Sequence, residues 1–306
     1  MQVARRAFLR ASRSEWLARQ LKERGFLRRA ARRFLPGEDA QAALGEAASL
    51  ARAGIAGVLT QLGEQVTSHA EADGVRDHYL EVLDQIRARD LPAEISVKLT
   101  HLGIDAHQEA CYARLRTVVE RAARTGSFVW VDMEESRYVD ATLQLYRRAR
   151  AEHRNVGVCL QAYLRRTPED LDSLLRLSPA IRLVKGAYNE PATVALPRKA
   201  DVDRQYVALA ARLLAGVRHG TRAVFGTHDL RIVAAIAEDA TARGVRPDAY
   251  EIHMLYGIRV RDQRALAARG HKMGVLISYG TAWFAWYMRR LAERPANVWF
   301  VLRSMV

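Results

Sequence analysis

The feature that most constrains the fold is an alternation, from Gly54 onward, of short β-branched or aromatic runs with longer segments rich in Ala, Leu and Arg. The longer segments carry apolar residues at helical spacing, and this alternation is typical of parallel α/β architecture. Eight short runs are present, the number of strands that closes a (β/α)8 barrel, and the intervals leave room for crossover helices. The predicted strands are Ile55 to Leu59, Glu94 to Leu99, Phe128 to Met133, Val156 to Gln161, Ile181 to Lys185, Ala223 to Thr227, Tyr250 to Met254 and Val275 to Tyr279.

Four of the intervening segments predict outer helices with particular clarity. They are Val75 to Arg89, Pro168 to Leu177 with Thr167 as a candidate N-cap, Asp201 to Val217, and Leu230 to Arg243. The competing architecture is a doubly wound open sheet. Such a sheet is expected to carry a glycine-rich dinucleotide fingerprint after an early strand, and the pattern G-x-G-x-x-G does not occur in this sequence.

Composition excludes several classes of protein. A chain of 306 residues that is 49% hydrophobic can bury a large core and is not typical of a disordered protein. The two cysteines cannot cross-link a chain of this length, so we expect a reducing compartment, the cytoplasm. No apolar run reaches the roughly 18 to 20 residues of a spanning helix, and the N-terminus does not resemble a secretory signal.

The first 50 residues predict a basic, amphipathic helical segment that is separate from a barrel domain at residues 51–306. Between Met1 and Leu35 there are eleven Lys and Arg against two Glu, a charge of +9 out of the formal +14 of the chain. Aromatic and leucine residues lie among the arginines, which suits helices on anionic lipid at the inner face of the cell membrane. The alternative is that these helices pack on the barrel. An RNA-binding arm is less favoured, because the pattern suits burial better than base stacking.

In a (β/α)8 barrel the functional residues lie at the carboxyl ends of the strands, so these positions predict the site before any motif is considered. Two of the five lysines, Lys98 and Lys185, end predicted strands, and a half-buried lysine is costly unless it is paired. The strand ends therefore predict a cavity that contacts an anion. The positions at these ends are Lys98, Thr100, His101, Asp132, Glu134, Glu135, Gln161, Tyr163, Lys185, Tyr188, Thr227, His228, Asp229, Met254, Leu255 and Tyr279.

Several of these residues also have a purely structural interpretation. Either lysine could reach solvent, Asp132 could cap the following helix, and His228 alone is more often a hydrogen-bonded structural histidine than a catalyst. Cys111 and Cys159 are expected to be inert. No spacing of His, Cys and carboxylates resembles a zinc site, so no metal is expected.

A tandem arginine pair, Arg289 and Arg290, follows the eighth predicted strand. Glu293 lies four residues after Arg289 and can pair with it on a helix. The functional interpretation is a guanidinium pair that binds a substrate carboxylate in bidentate geometry. The alternative is a solvated basic helix face, which fits Arg290 better than Arg289.

Seven segments, taken together, resemble the proline dehydrogenase family of the single-function bacterial type. They are SVKLTHLG, FVWVDMEES, GVCLQAYLRRT, RLVKGAYNEP, GTHD, MLYGIR and SYGTAWFAWYMRRLAERPANVWF, in this order from about Glu94 to the C-terminus. RLVKGAY and the Tyr-Gly pair that precedes the two arginines are the most specific matches. The sequence departs from common family residues at Gly226, Asp229, His253 and Ser278.

The resemblance implies a distorted (β/α)8 barrel that holds non-covalent FAD at the carboxyl ends of the strands, with the last helix folded over the mouth. The flavin contacts that it implies are Met133, Gln161, Arg182, Val184, Lys185, Gly186, Ala187, Thr227 and His228.

The resemblance also implies the substrate, L-proline, and its binding residues. Asp132 and Arg182 are assigned to catalysis. The substrate contacts that it implies are Lys98, Arg289 and Arg290 for the carboxylate, Tyr188, Leu255 and Tyr279 for the ring, and Glu293 for polar support.

The implied reaction is hydride transfer from proline C5 to flavin N5, which gives Δ1-pyrroline-5-carboxylate and requires an unprotonated amine. The electrons are expected to pass to a membrane quinone, and a separate pyrroline-5-carboxylate dehydrogenase is expected to use the product. Without the resemblance, two alternatives stay open: a class I aldolase-like barrel with a Schiff-base lysine, and a basic nucleic-acid-binding protein.

Overall fold

A computed structural model describes residues 34–63 and 65–283 of the chain. Eight parallel strands pair in sequence order, and the first also pairs with the last, so the sheet closes into a barrel. The predicted (β/α)8 architecture is confirmed. The strands are β1 Ile55–Gln61, β2 Ala93–Val97, β3 Val129–Val131, β4 Val156–Gln161, β5 Ala180–Val184, β6 Arg222–Gly226, β7 Glu251–Leu255 and β8 Lys272–Tyr279.

Helices cover the outside of the barrel, and the four predicted ones are all present. Helix α2 begins at His69, earlier than predicted, because Ser68 caps it by accepting a hydrogen bond from the amide of Glu71. The helices within the described residues are α1 Ala40–Ala51, α2 His69–Ala88, α3 Gln108–Thr125, α4 Val139–Glu152, α5 Thr167–Leu175, α6 Lys199–Val217, α7 Leu230–Ala242 and α8 Val260–Ala268.

The predicted capping role of Thr167 is wrong. Thr167 is the first residue of α5, and Arg166 occupies the N-cap position without a side-chain hydrogen bond. The Thr167 hydroxyl instead donates to the carbonyl of Gln161 at 2.6 Å. It therefore ties the start of α5 to the end of β4.

Helix α1 packs against β1 and β8 and buries Ala43, Leu44 and Ala47. Gly57 of β1 permits this approach, since a Cβ there would lie 3.0 Å from the Cβ of Ala47. Residues 40–51, part of the stretch predicted as an N-terminal segment, thus lie on the barrel. The lipid-binding prediction for residues 1–33 lies outside the described residues, and so do any additional helices there.

The barrel interior is filled by side chains from several strands. Trp130 of β3 is fully buried and packs with Val58, Ala180 and Val224 from β1, β5 and β6. Filled interiors of this kind leave the carboxyl ends of the strands as the place for a cavity. Within the part of the chain that the structure describes, no helix is both long and apolar enough to span a membrane.

Candidate active site

A cavity of about 880 Å³ opens at the carboxyl ends of the strands, and residues on or directly after all eight strands line it. Of the site residues that the family resemblance implies, every one within the described ranges lines this cavity, with the single exception of Tyr279. Five of the other positions predicted at the strand ends are not in the lining: Thr100, His101, Glu134, Glu135 and Tyr163. The convergence follows from the parallel topology, which brings residues far apart in sequence to one end of the barrel. The predicted residues that line it are Lys98, Asp132, Met133, Gln161, Arg182, Val184, Lys185, Gly186, Ala187, Tyr188, Thr227, His228 and Leu255.

Tyr279 is buried beside the cavity and not in its lining. Its hydroxyl lies 2.8 Å from Nε2 of His78 on α2. Leu276 and Ser278, which precede it on β8, do line the cavity. Successive side chains of a strand point to opposite faces, which explains why Ser278 and not Tyr279 reaches it.

The predicted clamp of Arg289 and Arg290, together with Glu293, lies outside the described residues. Its role in binding a carboxylate stays a prediction. Lys98, the third predicted carboxylate contact, lines the cavity, and no carboxylate of the described residues forms an ion pair with it.

Arg182 of β5 is the most constrained charged group of the cavity. Its Nη2 donates to Oδ1 of Asp132 at 2.6 Å and to Oγ of Ser96 at 2.7 Å, and its Nε donates to Sγ of Cys159 at 3.0 Å. The guanidinium carbon lies 5.1 Å from the ring centroid of Trp130. Three polar partners and an aromatic ring therefore fix the orientation of the guanidinium.

The strand register explains this cluster. Cys159 and Arg182 are directly paired across β4 and β5, so their side chains lie on the same face of the sheet. Asp132 comes two residues after Trp130 and shares its inward direction. Ser96 Oγ also donates to Oδ1 of Asp132 at 2.9 Å, which closes the network on the carboxylate.

The buried polar atoms of the lining that have no hydrogen-bond partner among the described residues include Nη1 of Arg182 and Oε1 of Gln161. One is a donor and the other an acceptor. The amide nitrogen of Gln161 is already used, since it donates to the carbonyl of Met133 at 3.2 Å. Buried polar groups without partners are costly, so both atoms indicate a polar ligand.

The loop after β5 follows the cavity wall closely. Gly186 has φ of 107°, and a Cβ at this position would lie 2.2 Å from the ring of Tyr163. Only glycine therefore permits this path. The loop is also tied to the loop after β3, because the amide and hydroxyl of Ser136 each donate to the Glu190 carboxylate at 2.7 Å.

Lys185 is held by carboxylates at the edge of the cavity. Its ammonium lies 2.5 Å from Oδ1 of Asp203 on α6 and 3.7 Å from Oδ2 of Asp229, the N-cap of α7. Burial alone would raise the pKa of Asp203, but Lys185 and Lys199 outweigh burial and hold this pKa below its usual value. The positive charges of Lys185 and Lys199 therefore offset the negative charges of Asp203 and Asp229.

Sequence reasoning missed two partners of Arg182, Ser96 and Cys159. A signal was available, because each lies two residues before a predicted site residue, Lys98 or Gln161, and alternate strand residues share a face. Burial raises the pKa of the Cys159 thiol to about 12, so the group is a neutral hydrogen-bonding partner of Arg182. Phe34, another lining residue, carried no recognisable signal.

Comparisons with known proteins agree with this geometry. The family model described as proline dehydrogenase matches residues 43–303. The chain is 36% identical to proline dehydrogenase 1 of Bacillus subtilis, over 99% of both chains, and 38% identical to a proline dehydrogenase of Deinococcus radiodurans, over 90% of both. Among solved structures, it resembles proline utilization A of Bdellovibrio bacteriovorus inactivated by N-propargylglycine. That match has a TM-score of 0.83 and 25% identity, and covers 94% of this chain but 36% of the longer protein.

Proposed function

Because this chain belongs to the proline dehydrogenase family, we propose that it binds FAD without a covalent bond, oxidises L-proline at C5 and passes the electrons to a quinone. As a family member it is an oxidoreductase of proline metabolism. The proposed product is Δ1-pyrroline-5-carboxylate. The observation that carries the proposal is that two buried atoms, Arg182 Nη1 and Gln161 Oε1, have no partner among the described residues in a cavity that every strand helps to form.

The residues of the cavity fit a flavin. An isoalloxazine ring offers both hydrogen-bond acceptors and donors, which match the free donor of Arg182 and the free acceptor of Gln161. Val184, Gly186 and Ala187 line the wall that the loop after β5 forms, and Met133, Lys185, Thr227 and His228 complete the proposed contacts. When bound, FAD would supply the acceptor for the hydride.

Arg182 would stabilise negative charge that develops at the reacting end of the cavity. Its Nη1 is the donor left for a ligand, while Asp132, Ser96 and Cys159 hold the guanidinium in place. A preorganised donor is effective because it need not reorient during the reaction. Asp132 therefore acts on the reaction by orienting Arg182.

Lys98 would bind the proline carboxylate, with Arg289 and Arg290 as predicted partners and Glu293 as their predicted support. The apolar side chain of Leu255 and the ring of Tyr188 would contact the substrate ring. Binding the carboxylate at a fixed position orients C5 and excludes water from it. The amine must lose its proton before its lone pair can assist hydride departure.

A visible absorption spectrum tests the central proposal. We expect the purified protein to be yellow, and L-proline without oxygen to bleach the flavin bands. A short-chain quinone added afterwards should restore them. A protein that stays colourless even after FAD is supplied contradicts the proposal.

The same samples test the two alternatives. Borohydride trapping with a keto substrate would reveal a Schiff-base lysine. Steeply salt-dependent binding to duplex DNA would support the nucleic-acid alternative. Neither result is expected.

The basic segment would bring the enzyme to the quinone at the inner face of the cell membrane. Residues 1–35 carry a charge of +9, which favours anionic lipid. Changing Arg5, Arg6 and Arg10 to Gln should reduce sedimentation with anionic liposomes, whereas neutral liposomes should bind both forms equally weakly. Equal binding of the two forms to anionic liposomes would count against this role.

A separate dehydrogenase would consume the product. The reaction yields an imine, which in water hydrates and opens to an aldehyde, and oxidation of that aldehyde is a second reaction. We expect proline turnover by the purified protein to stop at Δ1-pyrroline-5-carboxylate.

A further inference from the structure

His253 of β7 lies in the barrel interior and reaches the wall of the cavity. It is 4% exposed, and its Nε2 lies 3.2 Å from Oε2 of Glu251. Because Glu251 is an acceptor, this contact places the ring proton on Nε2 and leaves Nδ1 as a lone pair. Nδ1 is buried and has no hydrogen-bond partner among the described residues.

Charged groups from five strands surround this imidazole. The ring also meets the edge of Trp130, with the centroids 6.2 Å apart, and packs against Gly274, neither of which can titrate. The charged groups that face His253 are Glu251 on its own strand, Glu94 on β2, Arg182 on β5, Arg222 on β6 and Lys272 on β8.

The fixed charges of this interior do not balance without His253. The carboxylates are Glu94, Glu251 and Asp132, whereas the buried guanidiniums are Arg182 and Arg222. Lys272, which also contacts Glu251, is more than half exposed and is therefore screened by water. His253 adds to these fixed charges an imidazole, a group whose charge can change.

Arg182 couples His253 to the cavity. Burial lowers the pKa of His253 and the charge of Arg182 lowers it further, while the hydrogen bond to Glu251 opposes both. An anion that binds to Nη1 of Arg182 would offset the charge of this guanidinium. The imidazole would then be protonated more easily.

We propose that His253 takes up one proton when negative charge arrives beside Arg182, and so compensates the charge that the reaction creates in the cavity. This inference rests on the proposed function. Oxidation of proline with an unprotonated amine removes two electrons and two hydrogens. One hydrogen leaves C5 as a hydride, which would make the acceptor one unit more negative, and the other leaves nitrogen as a proton to water. A proton that His253 takes from water would balance the new negative charge.

The test measures the midpoint potential of the bound flavin against pH in the holoenzyme. Each additional proton taken up per two electrons steepens the slope by about 30 mV per pH unit. We expect this steeper slope in the native protein over part of the range from pH 5 to 8. His253→Gln, which keeps an N–H for Glu251 but cannot be protonated, should lack it. His219→Gln, at an exposed position, is the matched control and should behave as the native protein does.

A second measurement uses ligand binding without turnover. Cyclopentanecarboxylate has the carboxylate of proline but no amine, and calorimetry in buffers of different ionisation enthalpy counts the protons taken up when it binds. We expect net uptake by the native holoenzyme and no uptake by His253→Gln. Should the glutamine variant not fold, His253→Asn replaces it in both measurements.

The outcomes separate this inference from the proposed function. Identical slopes and identical proton uptake in the native protein and the variants would overturn the role of His253, even if proline bleaches them all. If proline bleaches neither the native protein nor the control, the proposed function itself fails. Loss of the additional slope in the variant alone supports the inference.

Discussion

Two arginine clusters lie at different levels of the barrel interior, and each guanidinium carbon is 5.1 Å from the ring centroid of Trp130. At the amino end of β6, Arg222 donates to both oxygens of Glu251 at 2.8 and 2.9 Å and to Glu94 at 2.6 Å. Nearer the mouth, Arg182 contacts one carboxylate, one hydroxyl and one thiol, and its Nη1 has no partner among the described residues.

The difference between the clusters indicates how one residue type serves two purposes. Two carboxylates surround Arg222, so removing it would leave Glu94 with the indole of Trp130 and Glu251 with His253 and the exposed Lys272 as partners. Arg182, by contrast, contacts a single carboxylate, and its Nη1 remains as a hydrogen-bond donor directed to the cavity. The Arg222 cluster is therefore expected to determine stability, and the Arg182 cluster is expected to determine ligand binding and rate.

The largest expected effect is a loss of stability in Arg222→Met. Removing one partner of a buried ion pair typically costs about 3 to 5 kcal/mol. Burial would raise the pKa of Glu251, but His253 and Arg222 hold it below its usual value, so the variant loses one of the two groups that stabilise this buried carboxylate. Urea unfolding of the holoenzyme measures the loss. In the fraction that folds, KM for proline should be nearly native, and a large rise in KM would contradict the division between the clusters.

The second effect is a loss of rate in Arg182→Lys. Lysine keeps the positive charge but lacks the planar fork that contacts Asp132, Ser96 and a ligand together. We expect kcat/KM for proline to fall by about 10² to 10³, the range for removing one preorganised donor. The melting temperature should change less than in Arg222→Met. A fully active lysine variant would remove Arg182 from the proposed mechanism.

Much of this arrangement could be predicted from the sequence, because hydrophobic period and strand count determine which residues end strands. Alternate spacing places Ser96 and Cys159 on the same face as predicted site residues, but their contacts with Arg182 could not be predicted, since the pairing of Cys159 with Arg182 depends on the register of β4 and β5. Tyr279 shows the same limit, because one step along β8 separates a cavity-facing residue from one that contacts His78. The connection made by Glu190 and Ser136 joins two loops and has no local sequence signal.

The third effect is a loss of about 3 kcal/mol in the free energy of unfolding at acid pH, and it arises from His101 at the mouth of the barrel. Burial, with the nearby charge of Lys98, lowers the pKa of His101 from 6.5 to about 4. The unfolded chain therefore binds a proton between these values that the folded protein rejects, and stability falls as pH drops from 6.5 to 4.

His101→Gln should reduce this loss, as measured by urea unfolding at pH 7 and pH 4.5, and His219→Gln should not. Glu251 has the same sign of linkage, because its pKa is also lowered in the folded protein, but its stabilisation is lost only below about pH 4.5, where the unfolded carboxyl is protonated. Equal acid sensitivity of the His101 and His219 variants would contradict this account.

The smallest expected effect tests whether the mouth depends on its connecting hydrogen bonds. Glu190→Gln leaves one oxygen to accept from Ser136 where the carboxylate offers two, and a lost hydrogen bond is worth about 1 kcal/mol. Because the Glu190 loop carries Gly186 and Tyr188, we expect KM for proline to rise about fivefold with kcat little changed. Ser136→Ala, which loses only the hydroxyl contact, should have a similar effect, and the double variant should be less impaired than the two single effects combined. Fully additive effects would show that the two residues act independently, and the loops would then be positioned by other contacts.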